Sequence, residues 1–248
     1  MTYCVGILVA AGLVMIGDTR TNAGIDNIAT FRKLHLFEVP GERVIGVATS
    51  GNLSIMQSVL SLLDEGVLNP ETGLTETLLN VPTMTAAAHL IGRAMRKVYE
   101  LDGPALEEHG LHFDIKVLLG GQIGHQPIRL FHLYSEGNSI EATPDTPYLQ
   151  IGEPKYGKPI LDRAISHEVA VRDALKIGLI SMDSTLQSNL SVGLPIDILV
   201  IRPGDLKAAV FHRITDQDGY FRDLCDRWST ALRAAHQSIP HPPYAEVL

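Results

Sequence analysis

The chain has two cysteines, Cys4 and Cys225, in 248 residues. Two thiols so far apart make neither a disulfide framework nor a metal-ligand spacing, and a reducing compartment is the simpler setting. Basic residues are scarce and never clustered. There are 20 Lys and Arg against 28 Asp and Glu, for a net charge of −8. That disfavours a nucleic-acid partner, because neutralising phosphates needs a basic surface. No apolar stretch approaches the ~20 residues that span a bilayer. The N-terminus lacks the basic start and apolar run of a signal peptide. No repeat and no low-complexity segment is visible. What is present is globular: 45% hydrophobic and 19% charged residues, long enough for one well-buried core. The expectation is a soluble cytoplasmic protein with no membrane partner. It is read as one domain over 1–248, with a proline-rich tail over 236–248 lying on the surface or on a neighbour.

The apolar pattern predicts an α+β chain. Residues 3–9 and 13–17 read as a hairpin turning at Ala10-Ala11-Gly12, followed by a polar loop over 21–32 with Gly24 and Asp26-Asn27. Strands are predicted at 33–39 and 43–49, then a helix over 53–63 with Met56, Val59, Leu60 and Leu63 on one face. Residues 66–82 read as a loop with a short helical piece. Thr83 caps a helix over about 84–101, and 102–112 reads as a second loop. Strands follow at 113–120, ended by Gly120-Gly121, and at 128–134, 139–143 and 147–151. Helix about 168–186, strands 196–202 and 207–213, and a helix about 218–235 close the chain.

Three residues near the start carry a possible chemistry: Thr2, Asp18 and Lys33. Thr2 follows Met1, and Met is removed readily before a small residue. A threonine at a free N-terminus carries its own base, because its α-amine titrates near pH ~8 and lies within hydrogen-bonding reach of its hydroxyl. A nearby Lys⁺ disfavours the protonated amine, and a carboxylate holds that Lys in place. A terminus built into a hairpin is fixed rather than frayed. Gly51 lies between a strand and a helix N-terminus, where unpaired N–H groups can stabilise an oxyanion.

A Thr-led hairpin, Asp18-Thr19-Arg20 at its end, Lys33-Leu34 opening the next strand and a glycine turn into a helix together resemble the proteasome β-subunit family of N-terminal-nucleophile hydrolases. The stretches DTRTNAGIDNIATFRKLHLFE and SNLSVGLPIDILV resemble its bacterial Anbu branch, the proposed ancestral β-subunit. The resemblance runs from Thr2 to about Arg213. It implies a four-layer αββα sandwich of two antiparallel sheets. It also implies Thr2 as nucleophile, Lys33 and Asp18 as its supporting pair, and the Gly51 N–H as oxyanion donor. Thr21 and Asn22 are the implied contacts for an extended peptide or amide substrate. A homo-oligomeric ring or open spiral follows from the same resemblance, with no cofactor and an unidentified regulator left open.

The chain departs from that pattern in places. Gly152-Glu153-Pro154 replaces the usual Ser-Gly-Ser turn. The late Asp-x-x-Ser-Gly element is altered, leaving Ser191 and Asp183 as candidate supporting residues. Two alternatives to a threonine peptidase therefore stand: a catalytically weak or inactive structural subunit, and an amidohydrolase acting on a small amide or γ-glutamyl compound. A metal site is not expected: His109 and His112 lack a third ligand, and His236 and His241 fall in or near the tail. Cys225 reads as a core or interface residue.

Overall fold

The computed structural model describes residues 2–22 and 28–244, the side chains of Asn22 and Ile28 excepted. The expectations that fall on Met1, Gly24, Asp26, Asn27, the Asn22 side chain and the last four residues lie outside this range.

The described strands are β1 (Tyr3–Val9), β2 (Gly12–Asp18), β3 (Arg20–Asn22), β4 (Ile28–Thr30), β5 (Leu34–Val39), β6 (Arg43–Gly51), β7 (Val67–Leu68), β8 (Thr75–Glu76), β9 (Ile115–Ile123), β10 (Arg129–Leu133), β11 (Ser139–Glu141), β12 (Tyr148–Gly152), β13 (Ile196–Ile201) and β14 (Ala208–Ile214). The helices are α1 (Leu53–Glu65), α2 (Met84–Glu108), α3 (Lys158–Ala164), α4 (Val171–Ser188) and α5 (Gly219–Ser238). Two five-stranded sheets form, in the orders β12-β1-β2-β13-β14 and β11-β10-β9-β6-β5, with every neighbouring pair antiparallel.

Strand alternation explains the layering. On β1, Tyr3, Val5 and Ile7 pack toward α3, α4 and α5 in one cluster with Leu161, Met182 and Leu224. Cys4 faces the other way, into a cluster between the sheets with Met15, Leu118, Leu130 and Leu199. A third cluster joins β6, β9 and β10 to α1 and α2 through Ile45, Leu119, Met56 and Leu90. The result is helices, sheet, sheet, helices: the four-layer αββα sandwich that the resemblance implies. Because both faces of each sheet are covered, the central strands are apolar on both sides and β2 is buried along its whole length.

Several local expectations are corrected. The loop over 21–32 contains a small ribbon, β3 paired with β4, which is too short to carry a periodic signal. The segment 66–82 folds as the β7–β8 pair rather than with a helical piece. Helix α2 continues through Pro104 to Glu108, where a loop over 102–112 was expected. The Tyr99 hydroxyl donates to Glu107 at 2.8 Å, tying the turns on either side of the proline. The Gly120-Gly121 pair does not end β9, which runs on to Ile123. Those glycines serve packing: a Cβ on Gly121 would fall 2.2 Å from the Val44 carbonyl oxygen. Helix α4 starts at Val171 rather than 168, and α5 extends to Ser238, so the first residues of the expected tail are helical.

Candidate active site

Thr2 directly precedes β1 and is buried. The pairing of β1 with β12 sets Tyr3 opposite Gly152, and the Glu153 N–H donates to the Thr2 carbonyl at 2.7 Å. On the helix side, the Tyr3 hydroxyl meets Ser181 Oγ at 2.5 Å and accepts from Gln150 Nε2 at 2.7 Å. The start of the chain is thus held from three directions. That is what a nucleophile at a strand's head needs.

Asp18 ends β2 beside it. Its Oδ1 accepts the Tyr3 N–H at 3.0 Å and Lys33 Nζ at 2.8 Å, and its Oδ2 accepts the Gly193 N–H at 3.4 Å. Lys33 Nζ also donates to the Arg20 carbonyl at 2.6 Å. Asp18 is fully buried and Lys33 nearly so. Burial pushes the Asp18 carboxyl above its ordinary value, against the opposing pull of the Lys33 ammonium and of the Tyr3 and Gly193 amides.

Lys33 borders a cleft of about 530 Å³, which Thr2, Thr21, Gly51 and Met56 also help to line. The apolar wall comes from α1, where Leu53, Met56 and Leu60 recur at helical spacing. Gly51 closes β6 at φ +116°, and a Cβ there would fall 2.0 Å from the Asp114 carbonyl oxygen. The next residue, Asn52, caps α1 by accepting the Ser54 N–H at 3.0 Å. Gly51 therefore joins the end of a strand to the positive end of a helix, at the edge of the cleft that holds Thr2.

The two candidate supporting residues lie differently. Ser191 is half-buried in the loop after α4, where its N–H bonds to the Asn189 side chain at 2.9 Å. Asp183 is buried on α4 and bonds to Gln187 Nε2 at 3.4 Å. It also interacts with Cys225 of α5, so its described partners are on the outer helical layer. The residues that do reach Asp18 and Lys33 from this region are Gly193, through its amide, and Arg20, through its carbonyl. Arg20 Nη1 in turn donates to the Leu190 carbonyl at 3.1 Å. Arg20 stands in the Asp18-Thr19-Arg20 motif, but its partner Leu190 and the Gly193 amide carry no signature in the sequence. The contacts cross 175 and 170 positions, and no local pattern encodes them.

Among the described residues no group of three or more His, Cys, Asp and Glu is placed to hold a metal. No described helix is long and apolar enough to cross a membrane. Burial pushes the Cys4 thiol well up, and burial with the Asp183 carboxylate pushes Cys225 up to about 12. A thiol reagent at about pH 8, near the ordinary thiol value, is expected to leave Cys4 unlabelled in folded protein and to label it after urea. Rapid labelling of native Cys4 would contradict its buried position.

A threonine at the head of the first strand of an αββα sandwich defines the class: this is the N-terminal-nucleophile hydrolase fold in its proteasome-like form. No protein-family model and no curated protein matches the chain. Solved structures do. "Anbu (ancestral beta-subunit) from Yersinia bercovieri" is 46% identical with a TM-score of 0.88, over 97% of this chain and 98% of that one. The helical assembly of the Anbu complex from Pseudomonas aeruginosa is 43% identical with a TM-score of 0.90, over 98% and 99%. A Gly-1 mutant of Anbu from Hyphomicrobium sp. strain MC1 is 44% identical with a TM-score of 0.88, over 98% and 99%. The chain belongs to the Anbu family.

Proposed function

We propose that the chain is a threonine-nucleophile amide hydrolase that works as a homo-oligomer. The observation that carries this reading is the buried Lys33–Asp18 pair: Asp18 accepts the amide of the residue after Thr2, and Lys33 borders the same cleft as Thr2. With Met1 removed, the Thr2 hydroxyl oxygen attacks the scissile carbonyl carbon. The free α-amine takes the hydroxyl proton. Lys33, held by Asp18, keeps that amine's proton affinity low by like-charge repulsion. The Gly51 N–H and the N-terminal end of α1 face the developing oxyanion. The carbon–nitrogen bond breaks as the proton passes to the leaving amine, and an ester on Thr2 remains. Water then adds to the ester, releasing the acid and restoring Thr2. Thr21, on β3 at the cleft edge, bonds the backbone of an extended peptide as an added strand. The Pseudomonas aeruginosa relative forms a helical assembly, which supports self-association for this chain and a sheltered site.

An intact-mass measurement tests the reading. The chain is expressed in its native host and treated with an epoxyketone, which needs a hydroxyl and an adjacent free amine to close its ring. The expected result is a mass without Met1 that gains one adduct and loses that gain in Thr2→Ala. A mass that retains Met1 and gains nothing would sink the catalytic proposal and favour a structural subunit.

A further inference from the structure

The β11-β10-β9-β6-β5 sheet carries, on its inner face, three polar side chains that the active site does not use. On β9, Leu118 packs between the sheets, so Lys116, two residues earlier, faces the same way. On β10, Leu130 packs there too, so His132 and Tyr134 share that face. The register sets them side by side. Leu133 lies opposite Val117, which brings Tyr134 opposite Lys116 as the pairing runs on; one step further the Ile115 N–H donates to Ser135 Oγ at 3.2 Å. The His132 and Tyr134 rings lie with centroids 4.4 Å apart. On its other side Lys116 is opposite Ser50, which lines the Thr2 cleft. The sheets part here: Ile140, opposite His132 on the edge strand β11, is exposed.

None of the three is spent. Among the described residues Lys116 makes neither a hydrogen bond nor an ion pair, and the Tyr134 hydroxyl and the His132 ring make no hydrogen bond. His132 Nε2 is buried without a partner, which leaves Nδ1 as the nitrogen that can meet a ligand. Burial pushes the His132 ring down to about 4, Lys116 adds to the shift, and no carboxylate opposes it. Glu141 on β11 is opposite Phe131, on the other face, and accepts from Arg129 Nε at 2.6 Å. At neutral pH the cluster is therefore one ammonium beside two neutral donors, a phenol and an imidazole with its proton on Nδ1. A half-buried set of donors without an acceptor is incomplete. A carboxylate completes it: it brings two acceptor oxygens and one negative charge, against the one positive charge of Lys116. A phosphate dianion would bring a second charge with no second cation to meet it.

We propose that Lys116, Tyr134 and His132 form a carboxylate-binding site at the open edge of the sandwich, one strand over from the Thr2 cleft. Lys116 supplies the charge, and Tyr134 Oη and His132 Nδ1 each donate to an oxygen. Ile140 gives an apolar contact to the chain behind the carboxylate. That chain is either the C-terminus of a peptide or the body of a small organic acid. The site holds whether or not Thr2 is reactive.

Calorimetry on the assembled wild-type chain at neutral pH tests it with four probes: the peptide acid Ac-Ala-Ala-Ala-OH, its amide Ac-Ala-Ala-Ala-NH2, propionate and inorganic phosphate. The peptide acid is expected to bind saturably, and the amide about tenfold more weakly, as suits the loss of hydrogen bonds to a charged group. Propionate binding as tightly as the peptide acid supports the site with a small acid as its ligand. Tight binding of the peptide acid alone supports it with a peptide C-terminus. Lys116→Met is expected to lower affinity for the acid about tenfold, and Lys116→Arg to keep most of it. Tyr134→Phe, which keeps the ring and loses the hydroxyl, lowers it a few-fold. Equal binding of acid and amide, phosphate bound more tightly than either carboxylate, no binding of any probe, or affinities unchanged in Lys116→Met and Tyr134→Phe overturns the proposal. If Lys116→Met does not fold, the acid–amide comparison on wild type and Tyr134→Phe decides.

Discussion

Lys33→Met abolishes epoxyketone addition at Thr2 and lowers any amide turnover by about 10³-fold or more, the scale seen when one member of a catalytic unit is removed. Met keeps the length and apolar body of the side chain but leaves the Thr2 amine without its cationic neighbour. It also leaves Asp18 fully buried and short of its strongest partner, the ammonium that offsets the cost of its burial. Removing one partner of a buried pair costs about 3–5 kcal/mol, and the urea midpoint is expected to fall accordingly. Asp18→Asn does similar harm from the other side. The double variant Asp18→Asn/Lys33→Met has no stranded charge, so it regains most of the stability and none of the reactivity. A double variant that stays as unstable as the singles would contradict this account of the pair. The pH dependence follows from Asp18. Burial raises its folded carboxyl value above the ordinary one of about 3.9. A raised folded value means that the carboxyl contributes most stability below the ordinary value and loses that contribution as pH rises through the folded one. The carboxylate form is held against the cost of burial by its bonds to Lys33 Nζ at 2.8 Å and to the Tyr3 and Gly193 amides. The adduct rate first falls as the amine protonates. It falls more steeply once Asp18 protonates, above the range where exposed aspartates titrate. A wild-type profile with a single step, set by the amine alone, would contradict this role for Asp18.

The parts of the fold that repeat a local rule were readable in the residues. The hairpin at the N-terminus is a pair of apolar runs about a glycine turn, and it forms as β1 and β2. Thr83 caps α2 by accepting the Ala86 N–H at 3.0 Å, as a Thr before a helical apolar pattern should. What stayed hidden depends on tertiary context. Residues 102–112 read as a loop, yet α2 runs on through Pro104 to Glu108, with Tyr99 bridging past the proline to Glu107. Gly120-Gly121 reads as a turn, yet β9 passes through it because β2 and β6 approach too closely for side chains. The site divides along the same line. The contact between Asp18 and Lys33 spans 15 positions and joins the end of one strand to the entry of the next, so the family pattern reaches it. In the late part of the chain the side chains that draw attention are Ser191, in the loop after α4, and Asp183, on α4 itself. The groups that touch Asp18 and Arg20 there are the Gly193 amide and the Leu190 carbonyl, and backbone groups carry no residue signature.

Gly152→Ala separates the geometry at Thr2 from general stability. Gly152 has φ +87°, and a Cβ there would fall 1.9 Å from the Thr2 carbonyl oxygen. That oxygen is backbone and is already bonded to the Glu153 N–H, so it cannot turn aside. The β1–β12 rung must open at the nucleophile. Gly41 has φ +83° with nothing within 4 Å of its hypothetical Cβ. The two alanine variants therefore carry similar backbone strain, on the order of 1–3 kcal/mol, and differ in the clash alone. Both are expected to lower Tm, by about 2–4 °C per kcal/mol for a chain of this size. Gly41→Ala keeps the wild-type rate of epoxyketone addition. Gly152→Ala loses about 10²-fold or more, because a displacement near 1 Å at a reacting group has that effect. Gly51→Ala, whose Cβ would fall 2.0 Å from the Asp114 oxygen, is expected to behave like Gly152→Ala. It displaces the proposed oxyanion donor and leaves the β1–β12 rung intact. Equal addition rates in Gly41→Ala and Gly152→Ala would mean that the crowding around Thr2 does not set its reactivity. The Lys33–Asp18 pair would then act through charge alone.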